Sequence, residues 1–512
     1  MGGNNNKRIA KNTIILYGRM IVFLVISLFT SRIVFNTLGV DNFGLYSLVG
    51  GIIIFFSFLN NGLSAATKRY ITAEIGKGAT GRPRYIFNIC VHAHIIIAII
   101  ILILAETIGI WIVNYILNIP PDSLRAANLV FQVSVIMAII GIIQSPYMSV
   151  IVAHERMNIY AYFTIIDVIL KLLVIFLVQV IPGNKLIIYS FLILGSGIIT
   201  FFVYNSYCRK TFTTCHLQKI KDKPLLKDIF SFMSWSLLGQ IAVVSTNQGV
   251  SVLVNIFYSV TVNAAMGISS TVTSIVNNFV SNFQIAFNPQ IIKQYNNGEY
   301  NDLTTLIIRA SKISSYLILI FLIPLCFETH NVLHLWLGDY PQYTVPFVML
   351  TLVAIYFEAI SAPLWMVIYA QTKIKQYQIV ISLVYSLNFI LGWAILWLGV
   401  LPYNVITIRV FIFMVLLAIR LIYVRKTVIG FNSLRWLREV CLKSLLISLV
   451  TFALLFPLNS LLNINELLHI VIISGVSLIT MLILIYGIGL DSNEKKAIYT
   501  LIIRKLRLNY TF

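Results

Sequence analysis

Apolar runs of about 18 residues or more recur along the whole chain, each long enough to cross roughly 30 Å of hydrocarbon as a helix. Read at that length, the pattern predicts about fourteen transmembrane helices. The first six are Ile14–Phe35, Leu45–Ala66, Tyr85–Ile112, Leu129–Ala153, Tyr160–Ile181 and Leu186–Tyr207. The next six are Phe230–Val254, Ala264–Phe287, Ile313–Leu333, Val345–Ala370, Ile379–Val400 and Val405–Val424, and a last pair covers Val440–Leu458 and Leu467–Leu490. The polar stretches between them are short, and none is large enough to fold as a domain. The fold class is an all-α integral membrane protein.

Composition agrees with the pattern. Of 512 residues 59% are hydrophobic and 11% charged, with a mean hydropathy of +0.90, against about a quarter charged in soluble chains. The formal charge of +20 follows from topology. If the N-terminus is cytoplasmic, nearly all of the 37 Lys and Arg fall in cytoplasmic loops or in spans, and only Arg125 and Lys185 lie in outer loops. By the positive-inside rule both termini are cytoplasmic, and nucleic-acid binding is not implied. The head "MGGNNNKRIAKN" is not read as a cleavable signal, because Arg19 interrupts the first apolar run and no small-residue cleavage site follows. Five scattered cysteines imply no disulfide framework.

The longest connection, "CRKTFTTCHLQKIKDKPLLKDIF", divides the first twelve spans into six plus six, and its basic residues suit anionic headgroups. This gives a bundle over 1–207, a basic linker over 208–229, a second bundle over 230–426 and an extra helix pair with a basic tail over 427–512. An ungapped slide of one half onto the other pairs Gly18 with Gly239, Asn42 with Asn263, Asn61 with Asn282 and Ala65 with Ala286, as expected of an internal repeat.

Enzyme signatures are missing. "IGKGATG" around Lys77 lacks phosphate-loop spacing, and the seventeen acids are mostly single. His330 and His334 share a helix face near Glu328, but no base stands between them as in a zinc protease. No catalytic residue, metal or cofactor is assigned. What stands out is charge inside the membrane, which is costly unless it meets a partner or a polar cavity. Asp167 and Lys171 in "FTIIDVILKLLVIF" are i and i+4 and can pair. Two readings stand: the pair only neutralises itself, or it lines a lumen, with Lys171 holding an anionic substrate group and Asp167 orienting it or binding a coupling cation. Glu358, mid-span beside Pro363, suits a proton relay or an inter-helix hydrogen bond equally. Arg19, Arg32, Arg409 and Arg420 lie near span ends, where long side chains can snorkel to the headgroups. Asn61 and Asn282 sit in Asn-rich patches at matching places; such amides bind sugar hydroxyls or hold helices together.

The stretch "SRIVFNTLGVDNFGLYSLVGGIIIFFSFLNNGLSAATKRYITAEIGKG", with Leu38, Gly39, Asp41, Phe43, Gly44, Leu45 and Tyr46 in its turn and Arg69 after the span, resembles the opening repeat of the Wzx-type polysaccharide flippases. These form a branch of the multidrug/oligosaccharidyl-lipid/polysaccharide exporter superfamily. "AFNPQIIKQYNNGEYNDL", with Pro289, Gly298 and Glu299, is similar to the end of that family's eighth span. The resemblance implies two pseudo-symmetric six-helix bundles arranged as a V, working by alternating access in the bacterial cytoplasmic membrane. The extra pair resembles that of the lipid II flippases. The implied substrate is a polyprenyl-pyrophosphate oligosaccharide for cell-surface polysaccharide such as O-antigen, with polysaccharide polymerase machinery as a partner. Lys171, Arg19, Arg32 and Arg409 would meet its anionic groups; no coupling site carries over from the resemblance, and coupling by H+ or Na+ through Asp167 or Glu358 is read only from their place inside spans. The alternatives are a cation-coupled multidrug exporter of the same superfamily and, less well matched, a membrane-bound polymerase or glycosyltransferase.

Overall fold

The computed structural model describes residues 26, 29–56, 58–76, 78–154, 156–218, 244–285, 287–371, 375–462, 464–492 and 494–496. Helices account for nearly all of them, and among the described residues there is no strand. We number the helices α1 (29–38), α2 (Val40–Phe56), α3 (Phe58–Gly76), α4 (Pro83–Ile116), α5 (Pro121–Ala153), α6 (Met157–Val180) and α7 (Lys185–Thr211). There follow α8 (Val250–Phe257), α9 (Val260–Ile285), α10 (Asn288–Asn296), α11 (Tyr300–Leu337), α12 (Thr344–Tyr369), α13 (Lys375–Trp397) and α14 (Asn404–Thr427). The last two are α15 (Ser433–Leu461) and α16 (Glu466–Gly489). Ten of the described helices are long and apolar enough to cross a membrane, and the chain is a multi-pass membrane protein. Arg19, the linker after residue 218 and the first part of the predicted seventh span lie outside the described residues.

Packing divides the chain into two compact units, one of residues 1–268, 341–343 and 378–405, the other of 269–340, 344–377 and 406–512. In the first, α5 packs along α7, α3, α4 and α2, while α6 lies mainly on α7. Helix ends follow local chemistry. Asn184 caps α7 by accepting from the Leu186 and Ile187 amides. Lys185 donates to the carbonyls of Val178, Gln179 and Ile181 at the end of α6, satisfying groups that a helix C-terminus leaves open.

The two stretches that carry the repeat signal touch. A Cβ on Gly44 of α2 would stand 2.2 Å from the Val260 carbonyl oxygen of α9, and one on Gly267 would stand 2.7 Å from Ser47 Oγ. Small residues here let two backbones approach, and Asp41 accepts from the Thr261 hydroxyl at the same crossing, 2.9 Å away.

In the second unit, Val276 and Val280 of α9, Ile318 of α11 and Val348, Leu352, Ile355 and Ala359 of α12 form one core. Leu319 and Ile323 of α11, Leu455 of α15 and Ile473 and Met481 of α16 form another. The second core seats the terminal helix pair on α11.

Candidate functional site

Lys171 and Asp167 form an ion pair within α6, Nζ to Oδ2 2.8 Å, with side chains 45% and 29% exposed. Their direction on the helix matters more than the pairing. Tyr162, Ile165, Ile169, Leu173, Phe176 and Val180 form an exposed apolar stripe along α6, the surface a spanning helix offers to lipid. Ile169 and Leu173 each lie two residues from Lys171, about 200° around the helix at 3.6 residues per turn. The ammonium therefore points away from the apolar stripe and is still about half open. The pair is thus only partly covered, Lys171 less so than Asp167.

The other predicted residues are dispersed. Arg32 is exposed on α1, and Arg409 is buried in α14. Asn61 lies on α3 and Asn282 on α9. Glu358 of α12 pairs with α14: Arg420 approaches it at 2.9 Å (Nη1 to Oε2) and 3.3 Å (Nη2 to Oε1). The same guanidinium donates to the Ser361 hydroxyl and, through Nε at 3.3 Å, to the Tyr377 hydroxyl. Arg420 is buried, so the snorkelling expected of it is replaced by a partner inside the unit. Its bidentate fork matches the carboxylate geometry.

His330 and His334 turn to different partners. His330 meets the Tyr340 hydroxyl, while His334 Nδ1 lies 3.0 Å from Glu466 Oε2 on α16. Glu328 instead meets His469 of α16, Oε1 to Nδ1 2.7 Å. Among the described residues no group of three or more His, Cys, Asp or Glu is placed to hold a metal ion.

A second charged cluster was not legible in the sequence. Lys312 of α11, 1% exposed, contacts Glu494 at 2.8 Å and Asp491 at 3.2 Å beyond the end of α16. Lys443 of α15 contacts Glu439 at 2.6 Å and Asp491 at 2.9 Å. Burial opposes the charge on Asp491, but the hydrogen bonds and charges of Lys443 and Lys312 prevail and hold its carboxyl below the usual value. The indole of Trp436 on α15, wholly buried, donates to Ser311 one residue away from Lys312. The arrangement fixes both terminal helices to α11. Lys312 and Asp491 stand just outside the predicted spans, where single charges read as ordinary interface residues.

No family model matches this sequence, and no curated protein does. Solved structures do match, and they define an all-α membrane transporter fold shared with lipid II flippases and multidrug exporters. A structure of the lipid II flippase MurJ, in an inward closed conformation, aligns with a TM-score of 0.70 at 15% identity, over 93% of this chain and 98% of that one. An inward-facing multidrug resistance MATE family transporter of the MOP superfamily aligns at 0.61 and 14% identity, over 81% and 98%. The MATE multidrug transporter DinF-BH, solved as a complex, aligns at 0.57 and 13%, over 83% and 97%.

Proposed function

We propose that the chain is a flippase that carries polyprenyl-pyrophosphate-linked oligosaccharide across the bacterial cytoplasmic membrane by alternating access. The observation that carries the reading is the half-open ammonium of Lys171, turned away from the lipid-facing stripe of α6 and steadied by Asp167. An ammonium so placed inside a membrane helix suits a phosphate or an acidic sugar. The extent of the structural likeness supports the same reading: the lipid II flippase covers 93% of the chain and the MATE transporter 81%, so the flippase accounts for more of the chain than the drug exporter does. Neither an enzymatic step nor a resident cofactor enters this account.

A second reading, export of organic cations driven by H+ or Na+, draws on the likeness to multidrug transporters of the MATE family. Lys171 argues against it, since an exposed ammonium repels a cationic cargo. The discriminating experiment places the purified protein in liposomes with a fluorescent polyprenyl-pyrophosphate oligosaccharide and, in parallel, a cationic dye. The flippase reading expects protein-dependent flipping without dye export. Dye export without flipping would replace it with the exporter reading.

A further inference from the structure

The paired carboxylates of the second unit are not all compensated in the same way. Glu358 faces Arg420, while Asp491, Glu494 and Glu439 face Lys312 or Lys443. Each of those partners is a Lys or an Arg. Glu328 is different. Its side chain is 1% exposed, Oε1 lies 2.7 Å from Nδ1 of His469, and Oε2 accepts from the Asn331 amide at 2.9 Å. Among the described residues no Lys or Arg pairs with Glu328. Its contacts are therefore an amide, which is always neutral, and an imidazole, whose charge depends on a proton.

A carboxylate so deeply buried between two neutral donors is an uncompensated charge. One proton removes the difficulty, whether it sits on the imidazole beside a carboxylate or on the carboxyl beside a neutral imidazole, because the pair is net neutral either way. The contact also joins two elements. α11 contributes Glu328 and His334, and α16 contributes His469 and Glu466, in reciprocal acid–imidazole pairs. The outer of the two, His334 with Glu466, is about half exposed. At the other end of α16 the seat on α11 is made by Lys312 with Asp491 and Glu494, a contact that holds no imidazole.

We propose that Glu328 and His469 form a proton-binding site whose occupancy decides whether the Glu466 end of α16 is seated on α11. With the proton bound, the joint is neutral and closed. Without it, a bare buried carboxylate remains at the joint, and this end of α16 swings away from α11 about its fixed far end. The remaining titratable groups near the pair are Cys326, His330 and His334 on α11, Asp339 and Tyr340 in the turn that follows, and Glu466 on α16. α15 carries none after Lys443, and α12 carries none before Tyr356. The assignment does not depend on which substrate the protein moves.

The test is a distance measurement by electron paramagnetic resonance on the full chain. Spin labels are placed at Leu335→Cys and Leu468→Cys, both exposed positions beside the joint, in a background with Cys326 and Cys441 replaced by Ala. The expected result is one short distance at pH 5 and a second, longer population at pH 9 in the otherwise native protein. Glu328→Gln keeps the hydrogen bond without the charge, and His469→Lys supplies a cation that needs no titration in this range. Each should hold the short distance at pH 9, and either variant alone suffices if the other fails to fold. An unchanged native distance between the two pH values, or variants that open with pH as the native protein does, would overturn the assignment.

Discussion

Arg420 and Glu358 meet as a two-pronged ion pair between α14 and α12, at 2.9 and 3.3 Å, with the guanidinium buried and also bound to Ser361 and Tyr377. Removing the carboxylate takes a two-pronged charged partner from a buried cation. Glu358→Gln is therefore expected to destabilise the protein by about 3 kcal/mol, seen as a lowered unfolding midpoint in detergent. The double variant Glu358→Gln/Arg420→Met should recover part of that loss, because no unpaired charge remains. A Glu358→Gln protein as stable as the native one would show that the pair contributes nothing to the fold.

Lys312 is enclosed, and its removal takes the nearer of two cations from Glu494, which is 12% exposed and keeps Arg309 at 3.4 Å. Lys312→Met is expected to cost about 1–3 kcal/mol, since Arg309 and Lys443 still face the two carboxylates, and to loosen the terminal pair before the rest of the chain. Limited proteolysis should then cut the segment between α14 and α15 sooner than in the native protein. Unchanged cleavage would mean that the apolar core of Leu319, Ile323, Leu455, Ile473 and Met481 seats the pair by itself.

Asp491 sets the acid limit of the same cluster. Its folded-state pKa is depressed by Lys443 and Lys312 against the effect of burial. The stability it contributes is therefore fully present above the carboxylate's unfolded value and disappears as pH falls through the folded one. The gap in unfolding midpoint between native protein and Asp491→Asn should be constant from pH 8 to about pH 5 and should close below about pH 4. A gap that closes between pH 7 and 6 would assign it to a different group.

Gly44 tests the contact between the repeated stretches. A methyl group there would stand 2.2 Å from the Val260 carbonyl, so the backbones must separate. Gly44→Ala is expected to destabilise by about 1–3 kcal/mol, while Gly50→Ala, whose Cβ meets nothing within 4 Å, should be close to neutral. Equal effects at the two positions would remove the close approach as the cause.

The helical class and the shared face of the α6 charges were legible because helical periodicity reports one helix at a time. Asp167 and Lys171 could be placed on one face from their spacing alone, and the apolar stripe opposite them was written in Ile165, Ile169 and Leu173. Pairs between distant helices were not legible. Arg420 looked like a snorkelling residue because Glu358 lies 62 positions away, and nothing in either local sequence names the other. His469 interrupts the run "LLHIVII" and could have been noticed as a polar intruder, but its partner Glu328 is 141 positions away. Charges at span ends, such as Lys312 and Asp491, have an ordinary explanation in sequence, and only the packing of α16 on α11 gives them another.

The central claim is that the half-open ammonium of Lys171 holds the anionic part of a lipid-linked sugar. The most direct measurement is the initial rate of flipping of a fluorescent polyprenyl-pyrophosphate oligosaccharide in liposomes, for native protein, Lys171→Ala and Lys171→Arg at equal reconstituted amounts. A loss of about tenfold to a hundredfold is expected for Lys171→Ala, the scale of one charge-assisted contact, and partial retention for Lys171→Arg. Native rates in Lys171→Ala would contradict it and leave the pair with Asp167 as a device that only makes α6 tolerable in the membrane.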